Sequence, residues 1–336
     1  MPAAVSVGIV CWNSAPFLER TLTTLRQQTY PLVELQVIDN ASADGTRELL
    51  ERLTGTGERT FLDRNTGFSA AHNLLIRRTT APYYLALNPD VFARPDYIAR
   101  LVEALEGDDR VGSATGKLLQ ADDPARIDST GIYLVPTQRH LDRDQGQIDC
   151  SRFDNDEEVF GVSAAAALYR RAMLDDVAVD GEVFDEDFFA YREDADLAWR
   201  ARILGWKAWY VPSAVALHVR RVTPSRRAEL PPEINRMSVR NRFLLRIKNQ
   251  PVSQFLRFAP QALTRDLQVV GFALLREHSS LPALVDVVRL LPRMCRKRRQ
   301  ILSRRRVPVS DLNAWFLTSS RPRQAGRPPT APLADS

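Results

Sequence analysis

The sequence is short of the features that announce several common chemistries. Its 336 residues hold three cysteines, Cys11, Cys150 and Cys295, an odd number with no close pairing. Neither a disulfide framework nor a zinc cluster fits that spacing, which points to a reducing compartment. No apolar run approaches the roughly 18–20 residues needed to span a bilayer, and the stretch 269–275 is far shorter, so any membrane contact is expected to be peripheral. The opening MPAAVSVGIVCWN lacks the basic flank and separate apolar run of a secretion signal and looks like a first core strand. There is no internal repeat. Neither a nucleic-acid module nor a set of recognition aromatics is present, which argues against a nucleic-acid partner. Nor is there a nucleophile beside a base: Ser163 has none nearby in sequence, and packing explains Cys11 at a strand end. Hydrolase chemistry is disfavoured on that ground.

What is present is enough apolar residue, 44% of the chain, for one core of about 200 residues and a smaller appendage. The net charge of +5 conceals an asymmetry. Acids dominate 142–196, whereas 289–306 holds nine Arg or Lys and no acid. Such segregation predicts that the two ends meet different partners.

Taken in order, 5–10 reads as a buried strand and 15–28 as a helix with Pro16 in its first turn. A second strand at 35–38 ends at Asp39, and a helix runs to about residue 53. A third strand at 60–62 precedes Arg64-Asn65-Thr66-Gly67-Phe68 and a helix over 69–77. A fourth, 83–87, terminates in Asn88-Pro89-Asp90. Strand and helix in alternation predict an α/β fold with a mostly parallel sheet and flanking helices. In such sheets ligands bind beyond the carboxyl ends of the strands, where Trp12, Asn13 and Asp39 all fall. A carboxylate at a central strand tip suits a hard divalent cation, and Asp90 is placed to be one, although a turn cap is the plainer reading.

The stretch 184–218, FDEDFFAYREDADLAWRARILGWKAWYVPSAVALH, packs acids between aromatics. A helix is expected over 194–204 with Gly205 as its stop, then strands at 206–211 and 214–219 separated by Pro212. This order brings the pair Glu193-Asp194 and His218 within reach of one another. A like-charged neighbour and partial burial raise a carboxyl pKa, while a helix amino terminus lowers it, so sequence leaves the sign open. The segment 121–158 is polar and weakly patterned and reads as loops over the site.

With VSVGIVCWN, VIDNASADGT, RNTGFSAAHN, LALNPDV and this acid-aromatic stretch in that order over 5–220, the chain resembles glycosyltransferase family 2 with its GT-A fold, and in particular the bacterial rhamnosyltransferase-like branch. The resemblance implies that Asp39 accepts from the nucleobase. It implies that Asn65, Gly67 and Asn73 line the nucleotide-sugar pocket with Trp12, Asn13 and Asn88. Asp90 matches the last carboxylate of the family's metal triplet, and His218 a histidine completing the metal site in some members. Asn88 stands where many relatives carry an acid, so diphosphate oxygens would supply much of the coordination, and an imidazole ligand favours Mn2+ over Mg2+. Asp194 matches the catalytic base, with Glu193 as the alternative. Ser163 and Ala164 fall in a segment, 159–171, that borders the acceptor pocket in the family, although tight packing explains its alanines equally well.

Beyond His218 the composition turns basic. Arg220, Arg221, Arg226 and Arg227 frame a linker, and helices are expected over 233–248 with its Arg240-Asn241-Arg242 cluster, 251–276 with a kink at Pro260, and 281–306 broken at Pro292. Their basic faces with apolar stripes suit packing on the catalytic domain or, better, an anionic membrane surface. The expected organisation is 1–222 catalytic, 223–318 basic helical and 319–336 a disordered tail.

The resemblance thus implies an inverting enzyme that moves a sugar, with dTDP-rhamnose leading as donor, to a glycan or polyprenyl-linked acceptor in surface polysaccharide synthesis. Its expected place is cytoplasmic, peripheral on the inner face of the plasma membrane. The alternatives are a UDP-N-acetylhexosamine or UDP-galactofuranose donor, or a catalytically silent scaffold. Oligomeric state is not legible.

Overall fold

The structure, a computed structural model, describes residues 2–31, 33–220 and 231–316. The first half alternates strand and helix: β1 (Val5–Cys11), α1 (Ala15–Arg26), β2 (Val33–Asp39), α2 (Thr46–Leu53), β3 (Arg59–Phe61), α3 (Gly67–Arg78), β4 (Tyr83–Leu87), β5 (Val91–Ala93), α4 (Tyr97–Glu106) and β6 (Val111–Gln120). Short strands β7 (Ile127–Ser129), β8 (Ile132–Leu134), β9 (His140–Asp142) and β10 (Glu157–Val159) precede β11 (Ala166–Arg170), α5 (Arg171–Val177), α6 (Glu193–Ile203) and β12 (Lys207–His218). Four helices follow: α7 (Pro232–Asn249), α8 (Val252–Leu275), α9 (Pro282–Ser303) and α10 (Val309–Asn313).

The main sheet runs in the order β10-β12-β6-β11-β4-β1-β2-β3, with β5 on β12 and β7 on β6. Pairing is parallel between β1 and β2, β1 and β4, β2 and β3, and β6 and β12. β11 lies antiparallel between β4 and β6. The core strands β1 and β4 are buried along nearly their whole length, as parallel strands covered on both faces must be.

Helix α6 explains why the carboxyl-terminal helices belong to the same body. Leu197 and Ala201 pack toward the sheet, while Ala195, Ala198, Trp199 and Ile203 share a core with Leu244, Leu245, Phe258, Met294 and Phe316. A helix apolar on both sides has to be buried on both sides.

Several expectations need correcting. The strands expected at 206–211 and 214–219 are one strand, β12, because Pro212 falls in a register shift between Val211 and Val215 rather than ending the pairing. Pro260 and Pro292 both lie inside helices, of 24 and 22 residues, so Pro292 breaks nothing; a long helix supported by its neighbours outlasts one lost backbone bond. The segment 121–158 is not merely loop, since it carries β7 to β10; strands of three residues are too short to leave a readable alternation. The tail expected at 319–336 and the linker arginines Arg221, Arg226 and Arg227 lie outside the described residues.

The charge asymmetry is resolved inside the molecule. Five of the nine cations in 289–306 pair with acids in 176–182: Arg293 and Lys297 with Glu182, Arg296 with Asp180, Arg304 and Arg306 with Asp176. The acidic and basic ends therefore meet each other, where the sequence predicted separate partners. Among the described residues no helix is long and apolar enough to cross a membrane.

Candidate functional site

The parallel register sets the first edge of the site. Cys11 pairs with Asp39, and β4 ends beside β1, so residues 12–13, Asp39 and 88–90 emerge along one border of the sheet. Trp12 is half exposed. Asn13, at φ 50°, donates its backbone N–H to Ser42 Oγ at 2.9 Å and accepts from Ala43 N–H at 2.8 Å. Asp39 is buried, yet the contacts from Ser42 N–H to its carboxylate are long, 3.3 and 3.4 Å. That leaves acceptor capacity facing the border.

Asn65 accepts from Gly67 N–H at 2.9 Å and so shapes the loop into α3. Gly67 has φ +83°, and a Cβ there would stand 2.5 Å from the Phe189 carbonyl. Its absent side chain lets the acid-aromatic loop dock. Asn73 is committed on both ends of its amide: it donates to Phe184 O at 2.7 Å and accepts from Phe184 N–H at 2.9 Å. It ties α3 to that same loop.

The second edge is built by β12. His218 lies opposite Val91 of β5, which puts the imidazole beside Asp90, and opposite Gln120 of β6. β6 in turn pairs with β7, and this delivers Asp128. Asp128 is fully buried; its Oδ2 lies 2.7 Å from His218 Nδ1 and accepts from Arg220 at 3.0 Å, while Arg220 also donates to Asp142 at 2.8 Å. Burial alone would lower the His218 pKa, but Asp128 and Asp90 outweigh it and raise the pKa to about 9. On the far side of the ring, Nε2 is 3.6 Å from Asp90 Oδ1, a buried oxygen with no hydrogen-bond partner.

An orphaned carboxylate oxygen facing an imidazole nitrogen whose other nitrogen is held by a carboxylate is a donor set that fits a divalent cation. Among the described residues no three His, Cys, Asp or Glu side chains converge as a metal cluster.

The third edge is the loop before α6. Phe189, Tyr191 and Arg192 have φ of 64°, 67° and 74°, a conformation that costs non-glycine residues on the order of 1 kcal/mol each. Asn241, fully buried on α7, holds it by donating to the carbonyls of Phe188, Ala190 and Tyr191, each at 2.9 Å, and Arg240 donates to Asp187 O at 2.8 Å. The result is to aim the first turn of α6. Asp194 Oδ1 accepts from Ala195 N–H at 2.7 Å, and the backbone of Ala164 also donates to this carboxylate.

Protein encloses Asp194 except where it opens to a cavity. Burial and then the charge of Asp142 push its pKa up to about 6, against the smaller pull of those backbone donors and of Arg192. The sign left open by the sequence is upward. Glu193 is buried with Oε2 unpartnered, and burial followed by Asp194 raises its pKa well above the usual carboxylate range. Of the two, Asp194 is the one whose carboxylate is also held by the backbone donors of Ala195 and Ala164 and opens to the cavity.

The other acids of this stretch have a different fate. Lys248 Nζ lies 2.5 Å from Asp185 and 2.7 Å from Asp196, and Lys297 Nζ lies 2.7 Å from Asp185 and 3.0 Å from Asp187. Asp196 also takes Arg200 at 2.8 Å and the Asn249 amide at 2.7 Å. Both lysines are 1% exposed, so this is an interior lattice that fastens α7 and α9 to the loop.

The structure gathers Asn88, Asp90, Ser163, Ala164, Glu193, Asp194 and His218 around one cavity of about 930 Å³. Trp12, Asn13, Asp39, Asn65, Gly67 and Asn73 do not line it; they lie along the neighbouring strand ends, in the loop before α3 and in α3. Sequence reasoning missed Asp128 and the role of Asn241. Asp128 stands 90 residues from its histidine, and it sits in a three-residue strand, Ile-Asp-Ser, too short to leave a signal. Chemically, the cavity can hold an anion-bound cation at Asp90 and His218 opposite a proton acceptor at Asp194.

Comparison with known proteins bears on this arrangement. The profile for "Glycosyl transferase family 2" matches residues 6–177. A Mycobacterium tuberculosis protein, N-acetylglucosaminyl-diphospho-decaprenol L-rhamnosyltransferase, is 28% identical over 250 residues, covering 65% of this chain and 76% of its own. A candidate teichuronic acid biosynthesis glycosyltransferase of Bacillus subtilis is 28% identical over 127 residues, 37% of this chain; the match spans about half, 50%, of that relative's length. Among solved structures, a mannosyltransferase of Pyrobaculum calidifontis in complex with GDP-Man and Mn2+ aligns with a TM-score of 0.52 at 18% identity, covering 94% of this chain and 88% of that one.

Proposed function

The chain belongs to glycosyl transferase family 2, and from that premise we propose that it transfers rhamnose from dTDP-rhamnose to a lipid-linked or glycan acceptor in bacterial surface polysaccharide synthesis, with inversion at the anomeric carbon. It is a transferase, so the silent-scaffold reading is set aside. One observation carries the mechanism: Asp194, raised to about 6 and open to the cavity, faces the same space as Asp90 and His218. Both Asp194 and His218 lie beyond the stretch that the family profile matches, so their roles rest on this geometry and on the resemblance.

In the proposed reaction Asp194 takes the proton from the acceptor hydroxyl as its oxygen attacks the anomeric carbon from the face opposite the diphosphate. The bond from that carbon to the diphosphate oxygen breaks as the new one forms, and no covalent sugar intermediate is required. Asp90 and His218 would hold Mn2+ or Mg2+, which when bound would neutralise charge on the departing diphosphate. Asp128 keeps the imidazole oriented through Nδ1, so that Nε2 is presented to Asp90. Asp39 accepts from the nucleobase, with Trp12, Asn13, Asn65 and Asn88 along the donor's path. Gly67 and Asn73 act by seating the loop, and Ser163 and Ala164 form the acceptor wall.

The rhamnose assignment draws on the mycobacterial relative's name, and the metal on the Mn2+ complex of the archaeal fold neighbour. A cytoplasmic enzyme on the inner membrane face is the accompanying proposal. Its support is the exposed apolar face of α8 rather than the basic face of α9, where Arg293, Arg296 and Lys297 are paired with acids. A thermal-shift panel of nucleoside diphosphates and their sugars, with and without Mn2+, tests the donor. A metal-dependent rise with dTDP-rhamnose, larger than with uridine compounds, is expected. A larger rise with UDP-N-acetylhexosamine or UDP-galactofuranose would overturn the rhamnose assignment and leave the class intact.

A further inference from the structure

The cavity does not end at the catalytic wall. It continues to α7 and α8, where Ile234, Val269 and Phe272 line it together with Arg139 and Arg265. Of the guanidiniums around this space, Arg220 is paired with Asp128 and Asp142, and Arg242 with Asp266. Arg192 lies 2.8 Å from His140 Nδ1. Arg139 and Arg265 differ. Neither has a carboxylate within ion-pair distance among the described residues. Arg265 donates from Nη1 to the neutral Gln268 at 3.0 Å, and its Nε is buried without a partner. Burial and the charge of Arg265 both lower the Arg139 pKa, so the two cations feel one another. Glu277, just past α8, is the carboxylate on the same wall.

Two half-buried like charges facing a cavity are unfavourable unless an anion completes them. They come from separate elements, Arg139 from the turn before β9 and Arg265 from α8, so no local turn chemistry requires the pair. On α8 the cavity face repeats at helical spacing as Arg265, Gln268, Val269 and Phe272. The opposite face carries Leu256, Leu263, Leu267 and Leu274, which are 66%, 50%, 75% and 54% exposed. Cationic wall, apolar channel and exposed apolar stripe thus follow one another across a single helix.

We propose that Arg139 and Arg265 bind the phosphate or diphosphate that joins the acceptor sugar to a prenyl-type chain, and that this chain leaves past Val269 and Phe272 to the bilayer against which the α8 leucine stripe lies. The assignment rests on the lipid-linked reading of the acceptor and deepens it. The occupant is the acceptor's own diphosphate, not a phospholipid headgroup.

Binding of farnesyl diphosphate, farnesol and inorganic diphosphate to the full chain in EDTA tests it, since chelation keeps the Asp90 and His218 cation site from contributing. Farnesyl diphosphate should bind about tenfold or more tightly than either fragment, and Arg139→Gln and Arg265→Gln should each weaken it about tenfold. Arg265→Lys should recover part of the loss. Circular dichroism of each variant guards against misfolding, and the lysine variant reads the charge if the glutamine variant fails to fold. Unchanged affinity in both glutamine variants overturns the subsite alone. A parallel loss of nucleoside diphosphate binding with Mn2+ overturns it by moving the pair to the donor side. Loss of flotation on phosphatidylglycerol vesicles with farnesyl diphosphate binding retained overturns it in favour of headgroups. A wild-type chain that hydrolyses its nucleotide donor yet binds no farnesyl diphosphate removes the lipid-linked reading and the subsite together.

Discussion

Asp194 and Asp196 sit two residues apart on α6 and live in opposite electrostatic worlds. Asp196 is wholly buried and ringed by Arg200, Lys248 and Asn249. Asp194 opens to the cavity beside Glu193 and is pushed up to about 6. The helix turns roughly 200° between them, which is enough to send one carboxylate into the interior lattice and the other into the site. Identity as an acid decides little; the cations that arrive from α7 and α9 decide which acids are structural. The acid-aromatic stretch is therefore two machines in one segment, a fastener and the proposed base.

The sharpest way to break the comparison is to remove the base alone. Asp194→Asn is nearly isosteric and should lower turnover by about 10²- to 10⁴-fold, with nucleotide binding and unfolding midpoint close to those of the wild type. Turnover within a few-fold of wild type would hand the base role to another group. Next in size is the fastener. Lys248→Met leaves Asp185 and Asp196 short of a buried cation, and chemical denaturation should register a loss of about 3–5 kcal/mol. A loss below about 1 kcal/mol would mean that water reaches these carboxylates and that the lattice is not what holds α7 to the loop. Arg296→Ala, which removes an exposed partner of Asp180, should cost under about 1 kcal/mol in the same assay.

This division also marks how far the sequence was legible. The opening alternation could be read because β1 and β4 are largely apolar, β2 closes on Val37 and Ile38, and all three run into turn-forming Asn and Asp residues. Candidates on strand ends, such as Asn88 and Asp90, were visible for the same reason, and so was the Glu193-Asp194 pair at a helix mouth. Pairings across long loops were not. Nothing near Asp185 in the chain signals Lys297, 112 residues on, or near His218 signals Asp128. Pro212 and Pro292 misled because proline's local cost was read as an ending, when a register shift and a long supported helix absorb it. The basic face of α9 was hard to read for a related reason: its partners were inferred from its own residues, whereas the acids that pair with Arg293, Arg296 and Lys297 lie in 180–187.

The finest test of the contrast is pH. A base must be unprotonated to act, so with the Asp194 pKa near 6 the rate kcat/KM should be nearly flat above pH 7 and fall about tenfold between pH 7 and pH 5. Asp142 is the second cause of that elevation, after burial, and it is simultaneously held by Arg220. Asp142→Asn removes a negative charge that disfavours ionised Asp194 and frees the Arg220 cation to favour it, so both changes act in one direction. The acid limb should move to lower pH, while the plateau falls modestly because a weaker base takes the proton less readily. Asp196, already satisfied by three donors, offers no such lever: Asp142→Asn should leave the unfolding midpoint's dependence on Lys248→Met unchanged. A limb that stays in place would show that burial alone sets the Asp194 pKa. A limb that moves to higher pH would place a different group, one that titrates with the opposite response to Asp142, in the role of base.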